Sequence, residues 1–284
     1  MGAIALVTDS TADIPRAERE RLRIGMVPLK VHFGGEEYLD NVDLQPADFY
    51  EKLQSFPGLP KSSQPSPADF LAEFERQMAD GKEVLSIHLS SALSGTYQSA
   101  LLAKSMLEDE SKVTVIDSKS ASMGYGMLVI RAAEMAEQGA SMDEIVAEIA
   151  RIKSSTKLYF LVDTLEYLHK GGRIGRASAL FGSLLNIKPI LTIDDEGYVN
   201  ALDKARGQKR AFARIVELLD ADFAGKPVDL NVVVTPGKTE MAEELIALLK
   251  ERFQIRRYMQ SEIGPVIGTH AGPGTVGIFM GPAV

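Results

Sequence analysis

Cysteine is absent from the 284-residue chain. That excludes disulfides and any thiolate metal centre. Histidine is scarce: only His32, His88, His169 and His270 occur, so a histidine-rich metal site is poorly supplied. Positive charge is in deficit, with 31 Lys and Arg against 39 Asp and Glu and a net charge of -8. A general nucleic-acid binder needs a basic surface, so that class is disfavoured, although a local basic patch stays compatible. No apolar run approaches the ~18 residues of a membrane span. The run AIALVT follows Met1 and Gly2 with no charged and apolar leader before it, so no signal peptide is expected. The composition that remains, 45% hydrophobic, suits full cores, and the length suits two domains. The expectation is a soluble cytoplasmic protein.

Short apolar runs alternate with helical patterns through the first half. IALVTD, IGMVPLKVHF, VLSIHL and KVTVIDS read as strands; IPRAERERL, TYQSALLAKSMLE and MLVIRAAEMAEQ read as helices. This alternation predicts an α/β domain with a mostly parallel sheet. Ala140–Ser155 is a further amphipathic helix. Beyond it KLYFLVD, KPILTID, YVNALDK, DLNVVVT and TVGIFM read as strands separated by few helices, and Asp194–Tyr198 as a hairpin turn. The second half is therefore expected to be α+β with a mixed sheet. The boundary falls near residues 153–158, giving domains 1–155 and 156–284.

Four stretches carry candidate chemistry. Ser94-Gly95-Thr96 lies where a strand hands over to a helix. A helix start offers unpaired N–H groups and partial positive charge, and small hydroxyl residues add donors, so one reading is an anion seat. A second reading makes Ser94 only the helix cap. Leu59–Pro67 is a rigid, hydroxyl-rich loop in which Ser66 and Pro67 suit a helix start, leaving Ser62 and Ser63 without a capping task, as functional hydroxyls or as part of an ordinary polar loop. His169–Arg176 sets three glycines around Arg173, which implies close backbone packing with the guanidinium aimed at a target, or else an exposed basic turn. Gly264–Thr275 holds His270 among glycines and prolines, as a fixed functional group or a satisfied structural histidine. Other strings fail on context. Gly272–Gly277 fits G-x-G-x-x-G but precedes a strand. Gly237-Lys238-Thr239 resembles the end of a phosphate loop, but Val232 stands where its first glycine belongs. Ser94 lacks a nucleophile elbow, because position 92 is alanine.

Together the stretches resemble the DegV family of bacterial fatty-acid-binding proteins, some members of which, called FakB, carry the substrate of fatty acid kinase. The resemblance runs the full length: Val7–Pro15, Ser63–Pro67, Leu93–Tyr97, Val115–Ser118, Gly171–Ile174 and Gly268–Gly274. It implies two domains with one fatty acid between them and no cofactor. The carboxylate seat it implies uses Ser62, with Ser63 able to share the role, and Ser94 with Gly95 and Thr96. Arg173 and His270 are expected to complete the polar network. Ser62 departs mildly from the family, which often has Thr there. The apolar stretch Ala177–Ile187 could wall the acyl slot or form a core helix.

The resemblance further implies that a separate ATP-dependent kinase subunit phosphorylates the bound carboxylate, and that this chain is not an enzyme alone. Asp203–Arg214 reverses the overall charge, with five basic residues and one acidic. It is read as a solvated helix start or a docking patch for that subunit, with Arg206 matching a family arginine used in docking. The alternative function is an acyl-ester hydrolase using Ser94 and His270.

Overall fold

The structure is a computed structural model that describes residues 4–79, 81–182, 187–237 and 239–284. Residues 183–186 of the expected slot wall, and Lys238 of the rejected phosphate-loop string, lie outside the described residues.

The first half builds a parallel sheet. β1 (Ile4–Asp9) is buried throughout and passes through a 3-10 turn, Ser10–Ala12, to α1 (Arg16–Arg21). The run Ile24–Phe33, expected as one strand, divides between two sheets. β2 (Gly25–Val27) pairs parallel with β1, while β3 (Lys30–Phe33) pairs antiparallel with β4 (Glu36–Leu39) and β5 (Lys61–Ser63). Pro28, between them, has no N–H for a ladder, so the chain turns there. α2 (Pro46–Ser55) separates β4 from β5. α3 (Pro67–Met78) starts at a capping box in which Ser66 and Asp69 satisfy each other's backbone N–H. β6 (Glu83–His88), α4 (Thr96–Ser105) and β7 (Val113–Asp117) follow, giving the order β2-β1-β6-β7, all parallel. α5 (Met123–Glu137) and α6 (Met142–Ser155) close this half, the latter again from a capping box, Ser141 with Glu144.

The end of β1 is pinned by buried polar groups. The Asp9 carboxylate accepts from Thr11 Oγ1 at 2.6 Å and Tyr125 Oη at 2.7 Å, and meets His88 Nδ1 at 3.0 Å. Burial acts to raise its pKa, but the bonds from His88, Thr11 and Tyr125 outweigh it and hold the carboxyl below its ordinary value.

The second half builds a mixed sheet. β8 (Lys157–Leu161) leads through α7 (Glu166–Lys170) and a 3-10 segment, Gly175–Leu180. β9 (Ile187–Ile193) and β10 (Val199–Arg206) form the hairpin expected at Asp194–Tyr198, with Gly197 at φ +91° in the turn. α8 (Gln208–Phe223), β11 (Pro227–Val234), α9 (Glu240–Arg252), β12 (Gln254–Glu262), α10 (Pro265–Ala271) and β13 (Val276–Pro282) complete the chain. The order is β10-β9-β8-β13-β11-β12; β11 and β12 run parallel and every other neighbour is antiparallel.

Two-residue periodicity gives this sheet two apolar faces. Tyr159, Leu161, Ile278 and Met280 pack one face under α8 and α9. Leu158, Phe160, Gly277 and Phe279 point the other way, toward the first half, with Leu158 opposite Phe279 and Phe160 opposite Gly277. One core cluster spans both halves, joining Leu29, Val31 and Phe49 to Val233, Val266 and Phe279.

Candidate ligand site

Between the two halves lies a cavity of about 840 Å³ of atom-free space, part of it open to solvent. Leu29, Leu89, Leu93 and Ala121 come to it from turns after β2, β6 and β7, where parallel sheets place their ligands. The inner face of the six-stranded sheet forms the opposite wall, and α10 contributes Val266, Ile267, His270 and Ala271. The polar lining side chains are Ser62, Ser94, Ser122, Arg173, His270 and Thr275; none of the described lining residues is acidic.

Four of the expected residues meet here. Ser62 Oγ lies 2.7 Å from His270 Nε2. Ser94 Oγ accepts from Thr96 N at 3.3 Å and lies 2.9 Å from Thr96 Oγ1, so the serine braces the turn before α4, whose N-cap is Gly95, and faces the cavity. Arg173 Nε donates to Leu93 O at 3.1 Å and Nη1 to Gly171 O at 2.8 Å, which fixes the guanidinium in the cavity wall beside the SGT turn. The Gly-Gly-Arg segment packs closely. A Cβ on Gly171 would meet His270 Nδ1 at 2.5 Å, and one on Gly175, at φ +53°, would meet Val199 O at 2.5 Å. Gly95 has a similar reason: its Cβ would meet Gln64 Nε2 at 2.5 Å. The SQP loop and the SGT turn therefore touch.

His270 Nδ1 is buried with no hydrogen-bond partner among the described residues. Burial, with the positive charge of Arg173 beside it, pushes the imidazole pKa down to about 4. The ring is neutral at pH 7, and Arg173 is the cation among the described lining residues.

Other expected residues are placed elsewhere. Ser63, next to Ser62 on β5, faces the opposite side of the strand, and its hydroxyl lies 2.9 Å from His32 Nε2. Gly95 and Thr96 start α4 without lining the cavity. Ser94 and His270 form no hydrogen-bonded pair: His270 is bonded to Ser62, and no carboxylate among the described residues bonds its Nδ1. The coupled, oriented base that a serine hydrolase needs is not assembled. Among the described residues no group of His, Asp and Glu is placed to hold a metal, and no helix is long and apolar enough to cross a membrane. Arg206 ends β10 and is exposed, with no ion pair to a described residue. Ser122 was not anticipated; its role depends on a backbone conformation that no sequence pattern announces.

The family model of the DegV proteins, described as uncharacterised, matches residues 3–283. The chain belongs to the DegV family. A DegV domain-containing protein of Caldanaerobacter subterraneus is 39% identical over 283 residues, 99% of each chain. Among solved structures, a DegV family protein from Thermus thermophilus described by its fatty acid binding is 38% identical, with a TM-score of 0.92 over 100% of both chains. DegV of Bacillus subtilis, described as a fatty acid binding protein, is 37% identical, with a TM-score of 0.88 over 100% of both chains.

Proposed function

We propose that this chain binds one long-chain fatty acid, with its acyl tail in the cavity and its carboxylate at the Ser62, Ser94, Arg173 and His270 end. The observation that carries the reading is the asymmetry of the cavity. Among the described lining residues, one cation, two hydroxyls and a neutral imidazole gather at one place in an otherwise largely apolar wall without acidic groups. A charge-assisted bond from Arg173, with the Ser62 and Ser94 hydroxyls beside it, suits a carboxylate. A tail of ~14 methylenes at ~0.8 kcal/mol each gives a gross ~11 kcal/mol, of which the costs of association offset a large part. Two related proteins described as fatty-acid binding share the fold over their whole length.

The narrower reading is that the chain presents this carboxylate to a separate ATP-dependent kinase subunit, which converts it to an acyl-phosphate. It rests on the family resemblance and on the exposed basic residues around Arg206.

Mass spectrometry of the denatured, purified protein is expected to release a long-chain fatty acid in near-stoichiometric amount, and the delipidated protein to take up added fatty acid. Repeated extraction without an acyl chain, together with no uptake, overturns the proposal.

A further inference from the structure

Two buried residues outside the expected set link the cavity wall to the helix that carries His270. Ser122 lines the cavity and is the N-cap of α5. Its backbone sits at φ 55°, ψ -146°, a sparsely populated region for a residue with a side chain. Its hydroxyl donates to Asp13 Oδ2 in a short hydrogen bond. Asp13, itself at φ 51°, is 6% exposed. Its other oxygen, Oδ1, accepts from Gly264 N at 3.0 Å. Gly264 is the N-cap of α10, and a Cβ there would meet Asp13 Oδ1 and Asn41 Nδ2, each at 2.8 Å.

We propose that Asp13 is a positioning residue for the polar end of the site: it ties α10 to Ser122 and so sets His270 against Ser62. This rests on the fatty-acid reading above for its ligand, but not for its geometry. Ser62 and His270 lie 208 residues apart in the chain, on β5 and α10, and no covalent constraint holds them in register. Asp13 joins the loop after β1, the start of α5 and the start of α10 through one carboxyl group. Strain at both Asp13 and Ser122 is retained where the surrounding structure over-determines it, and such outliers cluster at ligand sites. Burial and the neighbouring Asp40 push the Asp13 carboxyl well up, and the bonds from Ser122 and Gly264 only partly oppose them. A group held so far from its solution behaviour is replaced closely by a neutral isostere.

The test compares Asp13→Ala, Asp13→Asn and Ser122→Ala in the full chain, by displacement of a fluorescent fatty acid and by NMR of the histidine rings in ligand-free protein. Asp13→Ala is expected to weaken binding about 10-fold and to move the His270 ring signals, leaving those of His169 in place. Ser122→Ala is expected to do the same in the same direction, and the double variant to lose less than the sum of the two. Asp13→Asn, whose Oδ1 can accept from Gly264 N while its Nδ2 donates to the Ser122 hydroxyl, is expected to restore affinity to within ~3-fold and to return the His270 signals. A folded Asp13→Ala with wild-type affinity and unmoved His270 signals overturns the proposal. So does Asp13→Asn that is as impaired as Asp13→Ala. If Asp13→Ala does not fold, Ser122→Ala and Asp13→Asn decide by the same two readouts. Failure of the wild type to bind any fatty acid overturns the function instead, and the His270 signals still decide the positioning.

Discussion

His270 and Asp40 give the site opposite pH signatures. The folded imidazole titrates at about 4, below its ordinary 6.5. Between those values the unfolded chain binds more protons, so this contribution rises with pH, by at most about 1.4 kcal/mol per unit, and is complete above 6.5. Asp40 is fully buried, accepts from Val266 N in α10 at 3.4 Å, and keeps Oδ2 without a partner among the described residues. Burial raises its pKa to about 7. The folded state then holds a proton that the unfolded state has released, so its contribution is full below 3.8 and is lost as pH rises toward 7. Urea unfolding from pH 4 to 8 separates the two. The stability gap between wild type and His270→Gln should widen in favour of wild type up to pH 6.5. Asp40→Asn should gain on wild type over the rise to pH 7. Curves parallel to wild type in both variants contradict these assignments. The serines differ as well. Ser94→Ala is expected to lower fatty-acid affinity more than Ser62→Ala; a lost bond to a charged group costs roughly 1.5–3 kcal/mol. Ser62→Ala leaves His270 Nε2 without its 2.7 Å partner and should also lower the melting temperature. Equal displacement constants for Ser94→Ala and wild type would reduce Ser94 to a cap.

Elements with a continuous or strictly periodic pattern are legible in the sequence, and those set by their neighbours are not. β1 and β6 lie inside a parallel sheet and read as apolar runs. The start of α3 is legible because Ser66 and Pro67 announce it. β12 passes unrecognised because it is an edge strand whose residues, QIRRYMQSE, are mostly polar and exposed. The choice of Ser62 over Ser63 depends on which side of a three-residue strand faces the cavity, and that is decided by pairing with β3. α10 is hidden in a segment rich in glycine and proline, where the sequence shows constraint but not helix. Its packing explains one of those glycines. A Cβ on Gly268 would meet Tyr50 Oη at 2.5 Å and Phe49 Cε1 at 2.7 Å, both on α2. Gly268→Ala is therefore expected to cost about 1–3 kcal/mol through overpacking. It should also weaken fatty-acid binding, because His270 rides on the same helix two residues later. Thermal unfolding and the displacement titration together test this; an unchanged melting temperature shows that α2 yields without strain.

At the scale of the whole molecule, the cavity and the outer surface meet on a single strand. Val199, at the start of β10, lines the cavity, while Arg206 ends the strand in solvent. Seven residues at ~3.3 Å each separate them by about 23 Å along the strand. The basic segment carries less unpaired charge than its sequence suggests. Arg214 is paired with Asp203 at 2.6 Å and with Glu217 at 3.0 Å, so it adds little net charge. Lys204, Arg206, Lys209 and Arg210 remain, all exposed and without ion pairs to described residues. On a chain of net charge -8 they form a local reversal suited to a partner's carboxylates, and Arg among them can bind those bidentately. A docking role and a binding role are therefore separable by mutation. Arg206→Ala should leave the fatty-acid displacement constant within ~2-fold of wild type, since 23 Å exceeds the ~10 Å screening length at 0.1 M salt. In a coupled assay with a fatty acid kinase catalytic subunit, the same variant should need about 10-fold more protein to reach half-maximal acyl-phosphate formation, a loss of ~1.4 kcal/mol in docking. Raising the salt should narrow that gap, because the lost contact is electrostatic. A variant that binds lipid normally and also saturates the kinase at the wild-type concentration removes Arg206 from the docking surface.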